Sequence, residues 1–140
     1  MILHLSYEEV TALGRGAEAV LHSPEGDTGA VAAPPASRAA VEALVPLLTG
    51  DLSVTTLDYQ RHLQMAAETI VEALRVEMDA AVVATHPADE IAVATYFEYA
   101  HALASLTRIR DMGREMAALL ELLAGPDEPN RMAREFVFPD

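Results

Sequence analysis

The sequence contains no cysteine, no tryptophan and no lysine. The absence of cysteine excludes disulfides, thiolate nucleophiles and metal sites built on thiolates. The absence of lysine excludes Schiff-base chemistry, a P-loop lysine and a lysine general base. Several large classes of enzyme are therefore ruled out before any pattern is considered.

Basic charge is scarce as well. Nine arginines stand against 22 aspartates and glutamates, which gives a formal net charge of −13 at pH 7. Such a chain repels phosphate backbones and anionic lipid headgroups, so we expect neither a nucleic-acid partner nor a membrane partner. No apolar run approaches the ~18 residues of a membrane span, and the start of the chain lacks the features of a secretory signal. The sequence therefore predicts a cytoplasmic protein.

The chain has the size and composition of one folded domain. Its 140 residues are 51% hydrophobic and 22% charged, which is too apolar for a disordered chain. We expect a single helical domain over residues 1–140.

The first half of the sequence predicts two short helices. Residues 6–9 read Ser-Tyr-Glu-Glu, a capping box with Ser6 as the N-cap and Glu9 three residues later. Residues 22–36 are rich in proline and glycine and predict a loop. A second helix is expected from Ser37 to about Val45, ended by the following proline.

The second half predicts a long antiparallel helical hairpin, so the fold class is all-α. Apolar residues recur at helical spacing over about 54–84 and 88–124. The sequence His86-Pro87 between the two ranges predicts the turn. Gly125-Pro126 ends the last helix, and residues 125–140 are expected to form an extended tail.

The two ends of the chain carry strand-like sequences. Residues 2–5 and 135–138 alternate or contain β-formers, and they could pair as a short β-ribbon between the termini. The alternative is that Phe136 and Phe138 anchor an extended tail on the helices.

Two features predict a homodimer. The third helix carries a second apolar stripe, away from its main one, that includes Met65, Val76 and Val83. A helix that is apolar on two sides needs cover on two sides. A last helix of roughly 36 residues would span about 54 Å, against about 37 Å for a compact globule of this size. Either it breaks near Gly113 or an elongated protomer shares its hairpin with a second copy.

The sequence lacks the usual catalytic motifs, which predicts a protein that is not an enzyme.

One pair of residues could nevertheless bind a metal. Glu98 and His101 stand one helical turn apart, as in dimetal helical bundles, and Glu98 projects into the apolar seam of its helix. Such a bundle needs two of these pairs, and the sequence has one, so only a dimer could complete the site. The alternative is that Glu98 accepts hydrogen bonds from a tyrosine, His101 or an arginine and fixes the helix register. We expect the aromatic residues at 96, 97 and 99, beside this pair, to be core.

A small basic cluster, Arg108, Arg110 and Arg114, lies on the last helix of this acidic chain. It is either a solvated face paired with its own acidic neighbours or a docking patch for an acidic partner.

The sequence thus favours a non-enzymatic helical interaction or assembly module that self-associates and needs no cofactor. The rival hypothesis is a bundle that binds a metal or small ligand around Glu98 and His101. A third, an acidic inhibitor that mimics nucleic acid, requires a continuous acidic face, which the interspersed arginines disfavour.

Overall fold

The computed structural model describes residues 1–22, 33–84, 90–124 and 137–138. Within these ranges the fold is all-α, with one two-stranded antiparallel sheet. The elements are β1 (Ile2–His4), α1 (Tyr7–Leu21), α2 (Pro35–Leu44), a 3₁₀ turn (Val45–Leu47), β2 (Asp51–Ser53), α3 (Leu57–Ala84) and α4 (Glu90–Ala124).

The first helix begins where its capping box predicts. The Glu9 amide donates to Ser6 Oγ at 3.1 Å, and the Ser6 amide donates back to Glu9 Oε1 at 3.0 Å. The last turn of α1 has no basic residue of its own. Arg38 of α2 supplies one, because its guanidinium donates to the carbonyl oxygens of Val20, at 2.8 Å, and Leu21. This contact ties α2 to the end of α1.

The second helix starts two residues before the predicted Ser37, at Pro35. Proline is favourable in the first helical turn, where its missing N–H would have no intrahelical partner. The sequence Pro34-Pro35 therefore begins this helix instead of only interrupting the chain. The predicted loop at 22–36 and the predicted turn at His86-Pro87 otherwise lie mostly outside the described residues.

The predicted N-terminal strand is confirmed, and it pairs with β2. Of the predicted C-terminal segment only residues 137–138 are described, and they do not belong to this sheet. Leu3 pairs with Leu52 at the centre of the ladder. The C-terminal segment follows the alternative, because Phe138 is only 2% exposed and its amide donates to the Thr55 carbonyl oxygen at 2.6 Å. Phe138 therefore anchors the tail, whereas Phe136 and the rest of the predicted tail lie outside the described residues.

The hairpin helices α3 and α4 are the framework on which the short helices pack. Buried residues of both sheet strands, all four α-helices and Phe138 form one apolar cluster. Gly16 sets the distance between α1 and α3, since a Cβ there would lie 2.4 Å from Ile70 Cγ2. Gly16 thus allows a close helix contact, although glycine weakens a helix locally.

The last helix runs without a break through Gly113, so the hairpin is elongated. Gly113 faces Gln60, which is buried and donates through Nε2 to the Ile109 carbonyl oxygen at 2.8 Å. A Cβ on Gly113 would lie 2.3 Å from that nitrogen. The glycine makes room for a buried amide and does not mark a helix break.

In the part of the chain that the structure describes, no helix combines the length and apolar character needed to cross a membrane.

Candidate functional site

A buried polar cluster joins the start of α1 to the middle of α4. Glu9 is only 8% exposed, and Ser105 of α4 is fully buried beside it. Ser105 Oγ donates to Glu9 Oε2 at 2.7 Å, and the Arg108 guanidinium donates to the same oxygen. Arg108 Nη1 also donates to the His4 carbonyl oxygen at 2.5 Å. The carboxylate of Glu9 on α1 therefore accepts hydrogen bonds from the N-cap Ser6 and from two residues of α4.

These contacts keep Glu9 ionised. Burial alone would raise the pKa of the Glu9 carboxyl, but three hydrogen bonds and one charge act against it. The Ser105 hydroxyl, the Ser6 amide and the Arg108 guanidinium together lower the pKa to about 2. The cluster pairs a buried carboxylate with an arginine side chain that is 41% exposed, and it fixes how α1 packs on α4. The role of these contacts is to stabilise the fold. They pair Arg108 with Glu9 and His4, apart from the other two arginines of the predicted basic cluster.

Glu98 lies at the edge of the helical bundle and not in its apolar seam. It accepts a hydrogen bond from Arg15 Nε at 3.2 Å, while Arg15 Nη2 donates to Glu77 of α3 at 2.9 Å. Burial would lower the pKa of Arg15, but the charges of Glu98 and Glu77 raise it above its usual value. Arg15 thus links α1 to both hairpin helices. The sequence predicted a tyrosine, His101 or an arginine as the hydrogen-bond donor to Glu98. In the structure the donor is an arginine, Arg15.

The metal hypothesis gains no support from this arrangement. His101 lies half-buried one turn after Glu98, whose carboxylate is bonded to Arg15. Across the described ranges, no three His, Cys, Asp or Glu side chains come together as a metal ion would require. Glu98 and His101 as metal ligands, completed by a second copy, stay an untested prediction.

The three apolar interface candidates do not share one surface. Met65 is exposed near the start of α3, Val76 is half-buried in its middle, and Val83 is 88% exposed at its end. The second apolar stripe of α3 is therefore covered only in the middle. Its two ends face two different surfaces of the hairpin.

Val83 belongs to an apolar surface at the end of the hairpin, where α3 stops and α4 starts. We call it the hairpin-end surface. Each of its six large apolar side chains is at least 40% exposed. They are Val82, Val83, Ile91, Val93, Tyr96 and Phe97.

Two aromatic rings give this surface its shape. Tyr96 and Phe97 are each 55% exposed, and their ring centroids lie 5.9 Å apart in an edge-to-face contact. Beside them a hollow of about 280 Å³ opens between the helices. Met78, Val82, Ala92, Val93, Tyr96 and Phe97 line it.

The prediction that the aromatic rings at 96 and 97 are core is wrong. Only Tyr99 packs against the core cluster. The reason is one of length, because α1 has 15 residues and spans about 22 Å, whereas α4 has 35 and spans about 52 Å. The short helices cannot cover the whole hairpin, and the start of α4 is left exposed.

The other end of the second stripe, Met65, lies in a groove between α3 and α4 together with Arg110 and Arg114. Arg61 of α3 also lines this groove. Arg61 is not part of the basic cluster predicted from the sequence, because the groove forms only when the two helices pack. The structure therefore replaces the predicted cluster of three arginines on α4 by a different set drawn from two helices.

Comparison with protein-family models, with curated proteins and with solved structures gives no match for this chain. Its function has to be argued from its own residues.

Proposed function

We propose that this chain is a non-enzymatic assembly module that forms a homodimer through the hairpin-end surface. The observation that carries the proposal is the exposure of six large apolar side chains at one end of the hairpin. An aromatic side chain has roughly 150–250 Å² of surface, so Tyr96 and Phe97 alone leave on the order of 200 Å² in water. With four aliphatic neighbours, the patch reaches the size that marks interaction sites on monomers.

The distribution of charge favours a second copy as the occupant. Two chains of net charge −13 repel each other, so their contact has to lie where acidic residues are few. The sequence of residues 80–99 contains three acidic residues, Asp89, Glu90 and Glu98, and no arginine. Glu98 is already paired with Arg15. The hairpin-end surface is thus a place where two copies can approach with little local repulsion.

The shape of the surface also favours self-association. A symmetric dimer requires a surface that is complementary to itself. Here a hollow lies at the same end of the hairpin as two exposed side chains, Val83 and Ile91, which do not line it. In a two-fold arrangement these exposed residues of each copy would fill the hollow of the other. Aromatic residues such as Tyr96 and Phe97 are typical of the centre of such interfaces.

We propose the cytoplasm as the compartment, since a chain without cysteine forms no disulfide and needs no oxidising environment.

The substitution Val83→Asp tests the proposal. Val83 is 88% exposed, so the change should not disturb the fold, but it puts a desolvated carboxylate into the dimer contact. We expect wild-type protein to have twice the mass of the 15.0 kDa chain, and V83D to have the mass of one chain. Size-exclusion chromatography with light scattering measures both masses, and circular dichroism checks that the helix content is unchanged.

Leu122→Asp is the matched control. Leu122 is 83% exposed near the opposite end of α4, so the change removes a similar apolar side chain and adds the same charge. L122D should remain a dimer. A monomeric wild-type protein, or a dimer that L122D dissociates and V83D does not, would overturn the proposal.

A further inference from the structure

The groove that holds Met65 combines basic and apolar groups, and we call it the arginine groove. It has a volume of about 560 Å³ between α3 and α4. It is lined by Leu57, Gln60, Arg61, Gln64, Met65, Glu68, Arg110, Gly113, Arg114 and Ala117. Three arginines and one glutamate give this part of a strongly acidic protein a positive charge.

The arginines outside the groove make more hydrogen bonds than the arginines that line it. Among the described residues, there are four of them, and each donates at least two hydrogen bonds to carboxylate or carbonyl oxygens. They are Arg15, Arg38, Arg75 and Arg108.

The groove arginines are held much more loosely. Arg110 approaches Glu68 at 3.4 Å, and Arg114 approaches Asp111 of its own helix at 3.3 Å. Arg61 forms no ion pair with any residue in the described ranges. The donors of a planar guanidinium match a carboxylate in a bidentate manner, and here most of them are left for another molecule.

The groove has the dimensions of a site for a helix. Its lining on α3 runs from Leu57 to Glu68 with helical spacing, which corresponds to about 16 Å at 1.5 Å per residue. Its lining on α4, from Arg110 to Ala117, has the same spacing. Gly113 lets the buried Gln60 amide form part of the groove floor, because a Cβ there would lie 2.3 Å from Gln60 Nε2. An exposed Met65 offers an adaptable apolar contact.

We propose that the arginine groove binds an acidic amphipathic helix of a partner protein. An apolar side chain of that helix packs on Met65 and Ala117, and its flanking carboxylates accept hydrogen bonds from Arg61 on one side and Arg110 or Arg114 on the other. Charge complementarity selects this occupant, since a net positive groove on an acidic chain attracts an acidic segment locally. This is the helix-in-groove mode of peptide recognition. A polyanion such as nucleic acid is disfavoured, because most of its charge would lie outside the groove against a chain of net charge −13.

A labelled model peptide tests the inference on the full chain. The probe is a fluorescein-labelled helical peptide of about 14 residues, ~21 Å long, in which glutamates flank a stripe of leucines. Fluorescence anisotropy measures its affinity for the wild-type protein and for the variants Arg61→Glu and Arg110→Glu. We expect measurable binding to wild type and about tenfold weaker binding to each variant, because one attractive pair becomes a repulsive one. Added salt should weaken the binding.

The control variant is Arg75→Glu. Arg75 and Arg110 have the same side-chain exposure, 43%, and the two substitutions change the net charge equally. R75E should bind the peptide as wild type does, and so should V83D, because both changes lie outside the groove.

Three results would overturn the inference, and two more would assign the groove to a different occupant. The three are the failure of the glutamate peptide to bind, equal binding of a peptide with glutamine in place of glutamate, and an equal loss of affinity in R75E. Equal binding of a single-stranded oligonucleotide of the same charge would show a general anion site instead. Loss of the dimer in R61E would mean that the groove is filled by a second copy. Because V83D separates dimerisation from peptide binding, either proposal can fail alone.

Discussion

The buried carboxylate of Glu9 allows the most quantitative prediction. The substitution Glu9→Gln keeps the shape of the side chain and an oxygen that can accept from the Ser6 amide. It removes the negative charge to which Ser105 and Arg108 donate. The Glu9 pKa of about 2, against 4.5 for the unperturbed group, corresponds to about 3 kcal/mol of folding free energy at neutral pH, at 1.36 kcal/mol per pKa unit. We expect E9Q to be less stable than wild type by about that amount near neutral pH.

The effect has a defined dependence on pH. The pKa of Glu9 is lower in the folded state than in the unfolded chain, so its ionisation stabilises the fold above pH 4.5. That stabilisation is lost as the pH falls from 4.5 towards 2, because the folded state must then bind the proton. The difference between wild type and E9Q should therefore fall to about half its neutral value near pH 3 and vanish at lower pH.

Urea unfolding followed by circular dichroism measures the difference at several pH values. Glu8→Gln is the matched control, since Glu8 is the preceding residue in the same helical turn and its side chain is exposed. E8Q should change the free energy of unfolding little. A difference between wild type and E9Q that does not depend on pH would refute the reasoning. The loss would then come from packing or hydrogen-bond geometry and not from the ionisation of Glu9.

Two further substitutions test contacts that pack the hairpin and the tail. Gly113→Ala should lower the free energy of unfolding by about 1–2 kcal/mol, because the displaced Gln60 amide loses its partner and this outweighs the gain in helix propensity. Adding Gln60→Ala to G113A should remove that clash, so a double-mutant cycle by urea unfolding should be clearly non-additive. Phe138→Ala should cost about 3–5 kcal/mol in the same assay, as expected for a fully buried aromatic residue. A loss below 1 kcal/mol would mean that Phe138 does not anchor the tail.

Most of the fold follows from signals that are local in the sequence. The capping box at Ser6 places the start of α1 to the residue, because it depends on two side chains three positions apart. The hairpin helices were expected over about 54–84 and 88–124 and run over Leu57–Ala84 and Glu90–Ala124. Their long apolar periodicity accounts for this agreement. Local capping and sustained periodicity are therefore sufficient for the helices.

The contacts that join distant segments leave weaker signals. The strand β2 has three residues with a single buried apolar side chain, Leu52, which is too short for alternation to be recognised. Gly113 interrupts a helical pattern and resembles a break until Gln60 is known to lie against it. Ser105 looks like a small spacer in an apolar seam until Glu9 is found beside it. In each case, the partner is more than 45 positions away in the chain.

The candidate functional residues were only partly predictable from the sequence. Apolar periodicity shows which face of a helix is apolar, but it does not show which part of that face other helices cover. Glu98 and the rings at 96 and 97 have the spacing of a core segment, yet the rings are exposed and Glu98 is bonded to Arg15 at the edge of the bundle. Val83 and Met65, which the sequence predicts to need cover, are both exposed. The sequence could not show that they lie on different surfaces, or that Arg61 joins Arg110 across a groove.

The distribution of charge connects the two proposed surfaces. On a chain of net charge −13, an average surface is acidic and tends to repel both a second copy and an acidic partner. Two regions depart from that average in different ways. The hairpin-end surface has almost no charge and is apolar, which suits a second identical chain. The arginine groove has the opposite charge to the rest of the molecule, which suits an acidic helix. Electrostatic repulsion would then disfavour contacts over the remaining surface, so protein partners can approach most easily at these two regions.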